Sequence, residues 1–157
     1  MRILACGLLV AWAVAAACSI QPSSSAASGA RAESPAARPL APASGAFDAE
    51  AAMPPGFPSD FPIYPHARLT AGASFASNGQ VAWGMEWETL DAEAKVKSFY
   101  ARQLNQGDWS MSMTADSDKA FTGKFTRKSD SRADGTIVSN TDSAPVTKIL
   151  VSLVYPG

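Results

Sequence analysis

Apolar and polar positions alternate in two runs on either side of Asn78-Gly79. Asn-Gly is the pair that a two-residue type I′ turn prefers, because both central residues need positive φ. A turn fixed there fixes the register. Ala76 faces Val81, Ser74 faces Trp83, Gly72 faces Met85 and Thr70 faces Trp87. One side of the hairpin then carries Val81, Trp83, Met85 and Trp87 opposite small residues. The other side carries Leu69, Ala71, Ala73 and Phe75 beside Glu86 and Glu88. Period-two alternation sends the tryptophan side to the core and the glutamates away from it.

The period changes after Asp91, a good helix N-cap. Val96, Phe99, Tyr100 and Leu104 fall on one helical stripe. Asp91–Lys95 and Glu93–Lys97 are acid-before-base pairs four apart, which favour a helix. Gly107 is expected to end it. The apolar stripe should lie on the tryptophan side of the hairpin.

Alternation then returns. Trp109, Met111 and Met113 interleave with Ser110, Ser112 and Thr114 as a strand. Phe121 to Lys128 reads as another, with Phe121, Gly123 and Phe125 on one face. Asp134-Gly135 is a second turn signal, Thr136 to Ser139 a candidate short strand, and Val146 to Tyr155 the final strand. Before the hairpin, Pro58-Ser59-Asp60-Phe61-Pro62-Ile63-Tyr64-Pro65 can be neither helix nor central strand, since proline lacks the amide donor and forces extended geometry before it. With Phe57, Phe61, Ile63 and Tyr64 interleaved, it reads as an ordered strap. It is either a core lid or an aromatic-proline surface for a partner. The sum is β-β-α-β-β-β, with one extra short strand optional. It describes an α+β two-layer sandwich, one helix packed on an antiparallel sheet.

The N-terminus follows a different logic. One basic residue, Arg2, precedes an apolar run of about 15 residues, Ile3 to Ala17, below the roughly 20 that a spanning helix needs. Small residues Ala15, Ala16 and Ala17 lead to Cys18, the layout of an export signal with its cleavage site. The cysteine directly after that site resembles the lipobox of bacterial lipoproteins, in which the thiol is acylated and becomes the new N-terminus. Ala15 stands where lipoproteins usually have Leu. Cleavage by an ordinary signal peptidase and an uncleaved anchor are the alternatives. Cys6 is lost in every processed form, which leaves Cys18 without an intramolecular disulfide partner. The resemblance implies a diacylglyceryl anchor on Cys18. Ser19 after it goes with outer-membrane sorting in enteric-type lipoproteins.

Composition then divides the chain into a signal peptide (1–17), a lipidated cysteine with a tether (18–56) and a small domain (57–157). The tether is dominated by Ala, Ser and Pro and has too few large apolar residues to offset the entropy of ordering it, so it is expected to be disordered. The domain carries 10 Lys+Arg against 11 Asp+Glu, and the whole chain has a formal net charge of −1. No basic excess points to nucleic acid.

The Asp60-Phe61-Pro62-Ile63-Tyr64-Pro65-His66-Ala67 stretch, with Phe99-Tyr100, Leu104 and Trp109 downstream, resembles a group of uncharacterised small bacterial lipoproteins and secreted proteins. These share an Asp-Phe-Pro-x-Tyr-Pro-x-Ala segment, a Phe-Tyr helix, a Leu, and a Gly-Trp pair opening the next strand. Here Asp108 separates Gly107 from Trp109. The resemblance spans roughly residues 58 to 113. It implies fold and envelope location, and it brings no catalytic residues.

Few residues are candidates for chemistry. His66 is the only histidine, and a triad or a metal site would need more partners. Glu86 and Glu88 sit two apart on one strand face, about 6.5–7 Å along the chain. That overlaps the roughly 6.5–9.5 Å spacing of inverting glycosidases, but one strand cannot supply two opposed walls. Trp83, Trp87 and Trp109 would stack sugars only if exposed, and the alternation sends the first two to the core. Lys119, Lys124, Arg127, Lys128 and Arg132 interleave with Asp116, Asp118, Asp130 and Asp134 as a mixed solvated face. No metal site, cofactor or catalytic set is expected, and Cys18 is the one modified residue. The expected function is a lipid-anchored, non-enzymatic binding or scaffolding module of the cell envelope. It would be held on the outer membrane facing the periplasm, with an envelope protein or peptidoglycan as partner. The alternative is a secreted periplasmic enzyme or ligand-binding domain acting on glycan or peptide.

Overall fold

The structure is a computed structural model and describes residues 38–156. Six strands and one helix follow in the order β1 (Arg68–Ser77), β2 (Gln80–Thr89), α1 (Glu93–Gln103), β3 (Trp109–Asp116), β4 (Ala120–Arg127), β5 (Asp134–Asn140) and β6 (Thr147–Pro156). The strands form one antiparallel sheet ordered β1-β2-β6-β5-β4-β3. The helix joins β2, next to one edge, to β3 at the other, and lies against β5 on the way. This is the expected α+β sheet with one helix, and the optional short strand is present as β5.

The hairpin turn is where the Asn-Gly pair puts it. Asn78 and Gly79 have φ of 52° and 69°, the two positive values that a type I′ turn demands. Ala76 faces Val81, Ser74 faces Trp83 and Gly72 faces Met85, as the turn dictates. The last pair differs. A register shift between Leu69 and Ala71 brings Leu69, not Thr70, opposite Trp87. An extra residue in one strand reverses its facing from that point. Leu69 therefore turns to the core, where it is buried.

Core residues come from every element: Trp83, Met85 and Trp87 on β2, Val96, Tyr100 and Leu104 on α1, and Phe121, Phe125, Ile137, Ile149, Val151 and Leu153 on the later strands. Phe121, Gly123 and Phe125 share the buried face of β4 as their alternation requires. The strap is a lid on this core. Phe61 and Tyr64 are buried, and the Phe61 ring stands 5.6 Å from Trp109 and 5.2 Å from Phe125. Phe57 meets Trp83 edge-on at 6.2 Å.

Three local expectations are corrected. Asp91 does not cap the helix. The N-cap position is Ala92 without a side-chain bond, and the Asp91 carboxylate instead accepts from the Tyr64 hydroxyl and the Lys95 ammonium. The helix stops at Gln103, ahead of Gly107, which supplies a positive φ of 59° in the turn before β3. Asp134-Gly135 is not a turn but opens β5. Gly135 pairs with Phe125 and Leu153, and a Cβ there would stand 2.5 Å from the Phe125 ring and 2.2 Å from the Ser152 carbonyl oxygen. The glycine is required by close packing, not by chain reversal.

The segment from Arg38 to Gly56, expected to belong to a disordered tether, is pinned to the domain. Glu50 takes the Arg38 guanidinium and the Ala41 N–H, and the Ala51 N–H donates to the Leu69 carbonyl at 2.8 Å. Arg68 donates to the Pro42 and Asp48 carbonyls and lies over the Phe47 ring at 5.0 Å. A poor intrinsic folder is ordered here by long-range partners that composition does not reveal. The signal peptide, Cys18 and the rest of the tether lie outside the described residues.

Candidate functional site

The face of the sheet opposite the helix holds a concentrated charge cluster. Glu86 and Glu88 alternate to that face of β2, and Lys148 pairs with Glu88 across the sheet from β6. The Lys148 ammonium donates to Glu86 at 2.8 Å and lies 3.3 Å from a Glu88 oxygen. Asp48 closes the group. Its carboxylate is 3.8 Å from Lys148, and its N–H donates to Glu88 at 2.9 Å. Thr70 adds a hydroxyl donor to Glu86 at 3.3 Å. Glu88 points away from the core as expected, yet it is only 2% exposed, with the Asp48 segment bonded to it. The hydrogen bond to Glu86, opposed by burial and helped by Glu88, holds the Lys148 ammonium above the ordinary lysine value.

Carboxylate oxygens of Asp48, Glu86 and Glu88 lie within 4.8 Å of one another, a set that resembles a cation site. The cation they surround is the chain's own Lys148. That arrangement also answers the glycosidase spacing. An inverting pair needs about 6.5–9.5 Å to seat a water and a sugar between its carboxyls. Here the gap is shorter and an ammonium stands in it. The two glutamates form a structural ion-pair cluster. Sequence reasoning passed over Lys148, although a lone charge inside the apolar run Val146 to Tyr155 was the available signal for a partner across the strand.

Beyond this cluster the same face carries a small apolar patch beside a polar row of Lys124, Thr136 and Ser152. Ala71, Gly84, Val138 and Leu150 line an open trough of about 360 Å³, with Thr136 and Ser152 at one side. Gly84 and Ser152 face each other in register, as do Leu150 and Val138. The trough exists because the central strands place small residues on this face and large ones on the other.

The other candidates separate. Trp83, Trp87 and Trp109 are 5%, 2% and 3% exposed, and belong to the core. His66 is exposed, with a φ of 60°, at the end of the strap. It lines a groove of about 550 Å³ along α1 with Tyr64, Asp91, Lys95, Phe99 and Arg102. Hydrogen bonds from Lys95, then Tyr64, hold Asp91 below the usual carboxylate range. Burial, then Asp91, pushes the Tyr64 hydroxyl up to about 12.

Of the basic residues around β4, Arg127 does something the sequence did not signal. Its guanidinium bonds Asp60 of the strap and the Tyr155 hydroxyl, lies 3.1 Å from Asp108, and stacks on Trp109 at 4.9 Å. It ties the strap and the α1–β3 turn to the end of β6. Arg132 pairs with Asp130, and Lys128 donates to the Gly107 carbonyl. The expected mixed solvated face is not one surface: Arg127 shares the core side of β4 with Phe125, its side chain 16% exposed, while Lys124 alternates to the other side.

No helix among the described residues is long and apolar enough to cross a membrane. Searches of family models, curated proteins and solved structures return no match to this chain.

Proposed function

We propose that this chain is a lipid-anchored protein of the cell envelope that acts by binding or scaffolding rather than by catalysis. Cys18 carries the lipid, and the protein is held on the outer membrane facing the periplasm. The partner is an envelope protein or peptidoglycan. The sequence supports the anchor through the Arg2 to Cys18 signal and through the likeness to small bacterial lipoproteins. One structural observation carries the preference for binding. The residues that would serve glycan chemistry are already committed, the tryptophans to the core and Glu86 and Glu88 to Lys148. What the domain offers instead is an open sheet face with a shallow apolar trough.

The test starts with the anchor. Cys18→Ala should abolish labelling by a fatty-acid probe and move the protein from the membrane to the soluble fraction. A Cys18→Ala protein that stays with membranes would remove the anchor assignment. Cross-linked envelopes should then yield one specific partner with the anchored chain. Turnover of a glycan or peptide by the purified protein would overturn the binding role.

A further inference from the structure

The two edges of the sheet are treated differently, and the difference points to a partner for one of them. An edge strand exposes unpaired backbone groups, and proteins blunt it with charge, proline, a bulge or a cover. The β3 edge has such devices. The Asn105 side chain accepts the Met111 N–H at 3.0 Å, a register shift interrupts the strand between Met113 and Ala115, and Asp116 closes it. The β1 edge has none between Ala71 and Ser77. That stretch, Ala-Gly-Ala-Ser-Phe-Ala-Ser, has no charge and no proline, keeps regular register with β2 throughout, and is exposed at every residue. Its one bulge lies at the base, at Leu69/Ala71, where the Ala51 N–H already covers the strand.

We infer that the Ala71–Ser77 edge pairs with the same edge of a second copy of this chain, antiparallel about a two-fold axis at Ser74. The hairpin sets which groups are free. Ser77 and Gln80 close the turn as a hydrogen-bonded pair, so the N–H and C=O of Gly72, Ser74 and Ala76 point away from β2. Centring the axis on Ser74 joins Ser74 to its copy and Gly72 to Ala76 of the other chain. This gives about six backbone hydrogen bonds, two from each facing pair. On the helix side Ser74 and Ala76 are small and open, while Pro54 packs over Gly72 at the inner end of the stretch. On the open side the same register sets Phe75, 71% exposed, against Ala73 of the other copy, with Ala71 and the second Phe75 diagonal to it. A large ring meets a small partner twice, as an isologous contact requires. A strand whose apolar knob fits its own small positions favours a second copy over an unrelated peptide. The contact is short and falls below the roughly 1,200 Å² of standard stable interfaces, so the dimer is reversible and concentration-dependent. It forms with or without the lipid, and so stands apart from the anchor assignment.

The test uses the full chain purified in detergent. Sedimentation should show a mass that doubles with rising concentration. Ser74→Cys should cross-link to its copy under diamide, since a facing pair sits about 5.5 Å apart between Cα atoms, within disulfide range. Ala76→Cys should not, because its copies stand about 13–15 Å apart in this register. The unsubstituted chain sets the background from Cys6 and Cys18. Ala73→Lys, an exposed ammonium on the edge, should abolish both the mass doubling and the Ser74→Cys cross-link, with an unchanged melting temperature at dilutions where both proteins are monomers. A mass that stays monomeric with no Ser74→Cys cross-link overturns the proposal. Equal cross-linking at 74 and 76, or cross-linking of Ser74→Cys only to a foreign chain, overturns it as well.

Discussion

The two faces of this sheet are written by the same strands and behave as different materials. On β2, Trp83, Met85 and Trp87 point under the helix, while Ala82, Gly84 and Glu86 point the other way. The helix side is closed by aromatic rings from the strap, the hairpin and β4 packed edge to face. The opposite side is held at one end by an ion-pair cluster and is otherwise open. Alternation sorts bulk to one side. Stability is then expected to depend on apolar burial on one face and on charge compensation on the other.

The largest effect should come from the helix side. Trp87 is almost fully buried, opposite Leu69 and Ile149 in the sheet and against the Phe57 ring. Trp87→Ala should destabilise the domain by about 3–5 kcal/mol, read by chemical denaturation. A loss under about 1 kcal/mol would break the comparison, since it would mean that this face is not the principal source of stability.

Much of this contrast was legible in the sequence. The Asn78-Gly79 turn set the register of the hairpin, and the register set the faces. The Val96, Phe99, Tyr100 and Leu104 stripe placed the helix. These are local signals, with periods of two and 3.6 that backbone geometry imposes. The bulge at Leu69/Ala71 left no such mark, because neither glycine nor proline sits at the shift itself. The ordering of residues 38–56 was hidden for a different reason. It depends on Arg68, the Asp48 amide and the Ala51 amide meeting partners far along the chain, and a composition rule sees none of them. The site was less legible than the fold. Glu86 and Glu88 were visible as a pair, but their meaning came from Lys148, 60 residues beyond Glu88, once β6 settled beside β2.

Lys148→Met tests the second face. Removing the ammonium leaves Glu88 buried and Glu86 uncompensated, which should cost about 2–3 kcal/mol. Solvent reaches part of the lysine and reduces the effect below that of a fully buried pair. The pH dependence follows from the raised Lys148 value. The folded state binds the ammonium proton more tightly than the unfolded chain. The contribution is therefore fully present below the ordinary lysine value of 10.5 and is lost as pH rises through the folded value. The stability gap between the parent and Lys148→Met should be level through neutral pH and close only in alkali. A gap that closes near neutrality would mean that a group other than Lys148 governs the cluster.

The smallest effect sharpens the comparison, because it concerns a charge on the wrong face. Glu93, in the first turn of α1, is 3% exposed and neither carboxylate oxygen has a hydrogen-bond partner. Burial pushes its carboxyl above the ordinary value of 4.5, while Lys97 opposes the rise and Asp116 and Asp118 add to it. An acid raised in the folded state binds more protons there than in the unfolded chain. Stability is then lost as pH rises from the ordinary carboxylate value through the folded one. Glu93→Gln should therefore stabilise the domain at neutral pH by about 1 kcal/mol, the scale of a buried unsatisfied group. The gain should vanish below pH 4.5, where the glutamate is protonated in both states. The two faces would then titrate in separate windows, the helix face in acid through Glu93 and the opposite face in alkali through Lys148. A Glu93→Gln domain less stable than the parent at neutral pH would show that the carboxylate is compensated after all, and that the helix side tolerates charge as the opposite side does.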